Sequence, residues 1–239
     1  MSTQKLALIT GANKGIGLET AKQLAALGYT VIVGARKEAE GKAAAAEVGH
    51  GAQYLHIDMD QPATFAAAAK WIEEKFGKLD VLVNNAGIAG NLGVPPSHEA
   101  LATVRHVFDV NVFALLELTQ ALLPLLRKSE QGRIVNVSSI LGSLTLNANF
   151  DAPLGNWRSF SYNGSKAALN MLTATLAYEL RDTPIKVNSV HPGWVKTDLG
   201  GAEAPLEVGE GAKTSVRLAT IGSDGPTGAF FHLEETLAW

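Results

Sequence analysis

The chain has 239 residues, 46% of them hydrophobic and 18% charged, with no cysteine and a formal net charge of −3. That length holds one large α/β domain or two small ones around a substantial core, while the lack of thiols excludes disulfides and thiolate-ligated metals. Charges of both signs are interspersed, so no basic patch recommends a nucleic-acid or anionic-membrane partner.

Lys5 to Thr10 reads as a short buried strand, followed by Gly11-Ala12-Asn13-Lys14-Gly15-Ile16-Gly17 and a helix from about Ile16 to Leu27. Strand, glycine-rich turn and helix in this order make a phosphate cradle, because glycines admit a pyrophosphate close to the backbone and the helix N-terminus turns free N–H groups toward it. A tight turn with no ligand is the plainer alternative, and the position at the first junction of an alternating chain favours the nucleotide. Leu6 to Ile9 is too short for a signal-peptide core.

Thr30 to Gly34 is a second strand, closing on Ala35-Arg36-Lys37 where NAD-binding folds place a ribose-holding carboxylate. No acid precedes Glu38, and a guanidinium at Arg36 with an ammonium at Lys14 matches a 2′-phosphate, so NADP(H) preference is expected; two solvated surface cations would be the bland reading. Glu38 to Val48 is helical by its alanine content. Gln53 to Ile57 is a third strand with Asp58 at its end, placed either as a turn residue or to accept from an adenine amine. Pro62 to Phe76 is a helix, and Leu79 to Val83 a fourth strand running into Asn84-Asn85-Ala86-Gly87, a second wall for the same cleft.

Two helices are expected next, at about Ser97 to Phe108 and Asp109 to Leu126, with Asn111 buried between Val110 and Val112. An asparagine inside a helix is disfavoured and marks either a specific role or a solvated kink. The apolar stretch Val110 to Leu126 is interrupted by Asn111, Glu117, Thr119 and Gln120, so no membrane span is expected, and a soluble cytoplasmic protein is the default. Gly132 to Val137 is a fifth strand leading to Ser138-Ser139-Ile140-Leu141-Gly142. Ser143 to Phe160 reads as a loop with room for a short helical turn. Ile185 to Val190 is a sixth strand, Gly200 to Glu210 a lid-like loop, Gly211 to Ile221 a helix and Gly228 to His232 a last strand. No repeat, linker or charge block divides the chain.

Tyr162 and Lys166 sit one turn apart on the helix that follows the long loop, so a phenol and an ammonium share a face. Phenol is a poor proton shuttle at neutral pH unless its anion is stabilised by roughly 4 kcal/mol, which one cation at about 4 Å in a partly screened site supplies. The pair is therefore an acid/base candidate. The six histidines form no ligand-spaced cluster, no metal is required, and His191 beside Pro192 reads as structural.

Thr10-Gly11 with Gly15 and Gly17, Asn84-Asn85-Ala86-Gly87, Asn111, Ser139, Tyr162 with Lys166, and Pro192-Gly193 resemble the short-chain dehydrogenase/reductase family in order and approximate spacing. The wording around Lys14, of Pro192-Gly193-Trp194-Val195-Lys196-Thr197-Asp198 and of Gly225 through Trp239 looks like its NADPH-dependent carbonyl reductases. The resemblance implies a single-domain Rossmann fold, a doubly wound parallel sheet of about seven strands with helices on both faces. It implies Tyr162 as the acid in carbonyl reduction, Lys166 lowering its pKa and holding the nicotinamide ribose, Ser139 on the substrate oxygen, and Asn111 anchoring a water. Ser139 is chosen over Ser138 because family members carry the serine three residues before a glycine, here Gly142. For NADP(H) it implies a site from Gly11, Asn13, Lys14, Gly15, Ile16, Gly17, Arg36, Asp58, Met59, Asn85, Ala86, Gly87, Tyr162, Lys166, Pro192, Gly193, Val195 and Thr197. Val195 and Thr197 would hold the carboxamide, and Asp58 and Met59 would flank the adenine.

The substrate expected is a small ketone, aldehyde or quinone held by loops at about 88–96, 141–160 and 194–210, with Leu141, Leu144, Phe150, Trp157 and Trp194 as apolar contacts or as core. A reductase of a 3-oxoacyl thioester or steroid ketone, and a regulator that senses NADP(H) without turnover, are the competing readings. The segment between Ser139 and Tyr162 exceeds that of many family members and falls short of the insertion in monomeric animal carbonyl reductases. A homo-oligomer is favoured, with a monomer as the alternative.

Overall fold

Strand and helix alternate because the apolar periodicity alternates. The central strands are runs buried on both faces, which a parallel sheet covered by two helical layers accommodates. The computed structural model describes residues 4–154 and 157–239; Gly155 and Asn156 of the expected substrate loop lie outside the described residues. Strands β1 (Leu6–Thr10), β2 (Thr30–Ala35), β3 (Gln53–His56), β4 (Val81–Asn84), β5 (Arg133–Val137), β6 (Lys186–Val190), β7 (Phe230–His232) and β8 (Glu235–Thr236) form one sheet in the order β3-β2-β1-β4-β5-β6-β7-β8. Every neighbouring pair is parallel except β7 and β8. Seven parallel strands match the expectation; the eighth, a two-residue antiparallel return, is too short to leave a period-2 signal.

Period-2 alternation splits the core in two. Leu6 and Leu8 join Phe65, Ile72, Leu118 and Leu122 on one face, and Ala7 and Ile9 join Leu24, Val48 and Leu218 on the other. The helices are α1 (Gly15–Ala26), α2 (Glu38–Val48), α3 (Ala63–Phe76), α4 (Leu101–Phe108), α5 (Leu115–Leu126), α6 (Leu144–Ala148), α7 (Phe160–Glu179) and α8 (Val208–Thr220). β1 feeds a chain that returns on one side through β2 and β3, while β4 continues the sheet on the other. The crevice above the carboxyl ends of β1 and β4 is thus the switch point where such folds bind ligands.

Two boundaries differ from the sequence reading, and one expectation is met. The two helices expected at 97–126 form one continuous rod from Leu101, because Asp109–Ala114 is a π-helical turn that joins α4 to α5 without a break. This rod is long and apolar enough to cross a membrane by length and composition, but 56% of its most apolar window is buried, with Leu118, Leu122 and Leu125 packed in the core. The short helical turn for which the loop after β5 had room is α6, started by Ser143, whose hydroxyl accepts from the Leu146 N–H at 3.2 Å. The last helix begins at Val208 rather than at Gly211, since Gly211 packs against Val195 and is itself helical.

At the opposite end of the sheet, Asp80 ties three segments together. Its carboxylate accepts from the Leu6 N–H at 2.8 Å, from Lys78 Nζ at 2.8 Å and from Ser129 Oγ at 2.6 Å. Burial works to raise its pKa, but the Lys78, Ser129 and Leu6 hydrogen bonds together hold it below the ordinary carboxylate value. A depressed folded pKa means stability that is present above the unfolded value and lost as pH falls through the folded one. Asp80→Ala should therefore cost about 2–3 kcal/mol at neutral pH, and the difference from wild type should shrink below pH ~4. Urea denaturation at both pH values checks this; a difference independent of pH would show that lost packing, not the carboxylate, is responsible.

Candidate active site

A cavity of about 1010 Å³ opens above the carboxyl ends of the strands, and all the expected site residues line it except Asn111. Its floor at one end is the turn between β1 and α1. Gly11 holds φ +63° with Ala86 Cα only 3.0 Å from where a Cβ would stand, and a Cβ at Gly17 would fall 2.4 Å from Asn85 Nδ2 and 2.6 Å from Gly11 O. These positions must be glycine for the β1 and β4 turns to close on each other. The first turn of α1 carries no acidic side chain and no side-chain cap, which leaves its N-terminus to an anion. The cradle accordingly fits a pyrophosphate.

Several expected ligand contacts serve the frame as well. Asn85 Nδ2 donates to Thr10 O at 2.9 Å and Gly11 O at 3.3 Å, while the N–H groups of Asn85 and Ala86 both donate to Thr10 Oγ1 at 3.0 Å. Its amide thus shapes the cradle, with the backbone of 85–87 forming the wall. Asn13 donates to Glu40 at 3.0 Å, and Lys37 pairs with the same carboxylate at 2.8 Å. Lys14 pairs across the mouth with Asp198, both largely exposed, while Arg36 lies exposed on the rim. Asp58 accepts from the Asp60 N–H at 3.1 Å and Gln61 Nε2 at 2.7 Å, so it orders its own turn. Thr197 Oγ1 donates to Val195 O and accepts from the Gly200 N–H, and Lys196 N donates to Leu206 O, pinning the base of the 194–206 loop.

At the other end of the cavity stands Tyr162, buried to 7% exposure, with Ser139 lining the same end. Ser138, its neighbour, also borders the cavity, but its hydroxyl donates to Lys166 O at 3.3 Å. Gly142 explains the spacing: a Cβ there would lie 2.7 Å from the Lys166 carbonyl carbon, and only glycine lets α7 lie against the turn that presents Ser139. Lys166 Nζ donates to Val137 O at 2.8 Å and stands 5.7 Å from the centroid of the Tyr162 ring.

The pKa balance differs from the expectation. Burial pushes the Tyr162 phenol up to about 12, the Ser139 hydrogen bond opposing it, and burial pulls the Lys166 ammonium down to about 8. The ammonium is turned to a backbone carbonyl and faces the ring, so desolvation of the phenolate outweighs its attraction. Asn111 is likewise committed: its Oδ1 accepts from the Ile88 N–H at 2.9 Å, and its Nδ2 donates to Ile88 O at 2.9 Å and Ser165 Oγ at 3.0 Å. The side chain clamps the 88–96 loop onto α7, which is why it lies just behind the cavity wall. Sequence reasoning quoted Thr10 as part of the motif without a role for its hydroxyl and missed Ser165 and Glu99, whose partners lie far off in the chain. Of the expected apolar contacts, Leu141, Trp157 and Trp194 line the cavity; Leu144 and Phe150 do not, being 67% and 88% exposed.

Residues 5–206 match the family model described as short chain dehydrogenase. Short-chain dehydrogenase anuI of Penicillium roqueforti is 39% identical over 232 residues, covering 92% of this chain and 90% of that protein. The NADPH-bound carbonyl reductase from chicken fatty liver superposes with a TM-score of 0.86 at 32% identity, covering 99% of both chains. Carbonyl reductase Sniffer of D. melanogaster does so with a TM-score of 0.84 at 30% identity, covering 99% of this chain and all of that one. The chain belongs to the short-chain dehydrogenase family and is an oxidoreductase of that fold, with carbonyl reductases among its structural neighbours.

The buried ammonium leaves a thermodynamic trace. Between pH 8 and the ordinary lysine value of 10.5 the unfolded chain keeps a proton that the folded protein has released, so unfolding free energy rises with pH across that window. Tyr162, with its pKa raised from 10.0, acts with the opposite sign only above that value. In Lys166→Met the rise between about pH 8 and 10 should be absent, as read from urea denaturation of both proteins. Identical slopes would show that the ammonium is not desolvated.

Proposed function

We propose that the protein is an NADPH-dependent carbonyl reductase in which Tyr162 protonates the carbonyl oxygen. The observation that carries this reading is that Ser139, Tyr162 and Lys166 line the same cavity as the glycine cradle, with Lys166 Nζ 5.7 Å from the centroid of the Tyr162 ring. NADPH, when bound, supplies the hydride. Ser139 and Tyr162 both line this cavity, so a carbonyl oxygen held between their hydroxyls would be polarised by both and the charge that develops on it met by donors already in place. A phenol with a pKa near 12 keeps its proton throughout the neutral range, which is the state that reduction consumes. Lys166, charged below about pH 8, favours the phenolate left after transfer.

The residues fit the dinucleotide. Gly11 to Gly17 would take the pyrophosphate, the 85–87 backbone and Pro192-Gly193 would flank the nicotinamide half, and Lys166 would reach the ribose. Support for NADPH over NADH comes from the β2 end: Ala35-Arg36-Lys37 carries no carboxylate where a ribose diol would need one, and Arg36 lines the rim. Ile140, Leu141, Leu154, Trp157 and Trp194 line the remaining volume, which supports an apolar carbonyl compound as substrate.

Tyr162→Phe should retain NADPH affinity and lose carbonyl reduction by roughly 10²–10⁴-fold, measured as NADPH oxidation against a panel of ketones, aldehydes and quinones. Unchanged turnover would remove Tyr162 from the chemistry, and NADPH binding without turnover in the wild type would favour a sensor. Arg36→Ala should raise KM for NADPH on the order of tenfold or more while sparing NADH, the signature of one lost charge-assisted contact. Equal kcat/KM with the two cofactors in the unmodified protein would refute the preference.

A further inference from the structure

The helix that carries Tyr162 and Lys166 is not capped by its own sequence. Ser159 occupies the N-cap position of α7 with extended backbone, yet its hydroxyl makes no cap bond and is buried without a partner among the described residues. The first turn is instead served by Glu99, which stands on the loop between β4 and α4. One carboxylate oxygen accepts from the Ser161 N–H at 3.0 Å, and the other is hydrogen-bonded by the Ser161 hydroxyl. Ser161 is completely buried and immediately precedes Tyr162. The approach is close: Gly90 has φ +64°, and a Cβ there would stand 3.1 Å from Ser161 Oγ. The same loop is clamped through Ile88 by Asn111, and its residues Ile88, Ala89 and Leu92 face the cavity.

A carboxylate on the first turn satisfies N–H donors that would otherwise be orphaned and sits at the favourable end of the helix dipole. Here it does so from a loop that also walls the substrate volume. We propose that Glu99 is a positioning residue: by capping α7 from outside, it sets where the Tyr162 phenol stands relative to Ser139 and to the 88–96 wall. The proposal rests on the reading of Tyr162 as the proton donor. Its role is indirect, since Glu99 itself does not line the cavity.

The test compares wild type with Glu99→Ala, Glu99→Gln and Ser161→Ala, using NADPH and the best carbonyl compound in the panel. Kinetics and NADPH affinity by fluorescence form one arm, and amide hydrogen exchange at residues 160–164 the other. Glu99→Ala should lower kcat roughly tenfold, in keeping with loss of a helix cap, leave NADPH affinity unchanged and accelerate exchange in that first turn only. Glu99→Gln keeps an acceptor for the Ser161 N–H and should recover most of the loss. Ser161→Ala, which removes the hydroxyl contact alone, should fall between. Unchanged kcat in Glu99→Ala overturns the proposal, as does a loss shared equally by NADPH affinity and not recovered by glutamine. If the wild type reduces no carbonyl in the panel, the functional reading falls and the cap is judged by exchange alone: acceleration confined to 160–164 supports it, and unchanged exchange overturns it.

Discussion

An ammonium held at 5% exposure against the carbonyl that closes β5 is the constraint around which this molecule is arranged. Burying a charge costs several kcal/mol unless its hydrogen-bonding capacity is met, and Lys166 meets part of that need at Val137 O. The bond fixes α7 over the end of the sheet, at a height that Gly142 alone permits. With the helix there, Tyr162 lies one turn above Lys166, in reach of Ser139 from the strand end. Hydrogen bond, helix height and phenol position are one geometric solution.

The same face of α7 continues downward. Thr173 accepts from Asn136 Nδ2 at 2.8 Å and from Ser189 Oγ at 2.8 Å, and Asn136 Oδ1 accepts from Asn84 Nδ2 at 2.9 Å. Asn84, Asn136 and Ser189 are register partners across β4, β5 and β6. A buried polar chain of this kind is costly if broken, so a one-residue slip of any of these strands would leave amides unpaired in the core. It therefore helps fix the register of the strands whose ends present Asn85, Ser139 and His191. His191 packs against His232 with ring centroids 5.1 Å apart and planes tilted by 42°, and burial, with His232 adding to it, lowers its pKa to about 3. It borders the cleft as an uncharged wall.

Legibility varied with how local each interaction is. Gly11 to Gly17, the Tyr162–Lys166 spacing and the strand runs were readable because each is written within a few consecutive residues and obeys a period of 3.6 or 2. The π turn at Asp109–Ala114 was not, since a helix that admits one extra residue per turn looks in sequence like two helices meeting. Asn85 was expected at a ligand and is found holding Thr10 and Gly11, because an asparagine beside a glycine cleft looks the same in either role. Leu144 and Phe150 were grouped with Trp157 as apolar contacts, and only the placement of α6 separated them.

The amino-acid sequence by itself determined the alternating architecture, the glycine turn after β1 and the placing of Tyr162 and Lys166 one turn apart, since those follow from local periodicity and from glycines at fixed offsets, while Ser139 was picked out by resemblance to the family. Tertiary structure alone decided which polar groups are spent on the frame, how far burial shifts Tyr162 and Lys166 in opposite directions, and that Glu99 rather than Ser159 caps the helix between them and solvent. The physical reason is range: desolvation and hydrogen bonding depend on what surrounds a group in space, and residues such as Glu99 and Ser161, 62 positions apart, meet only after the chain has closed.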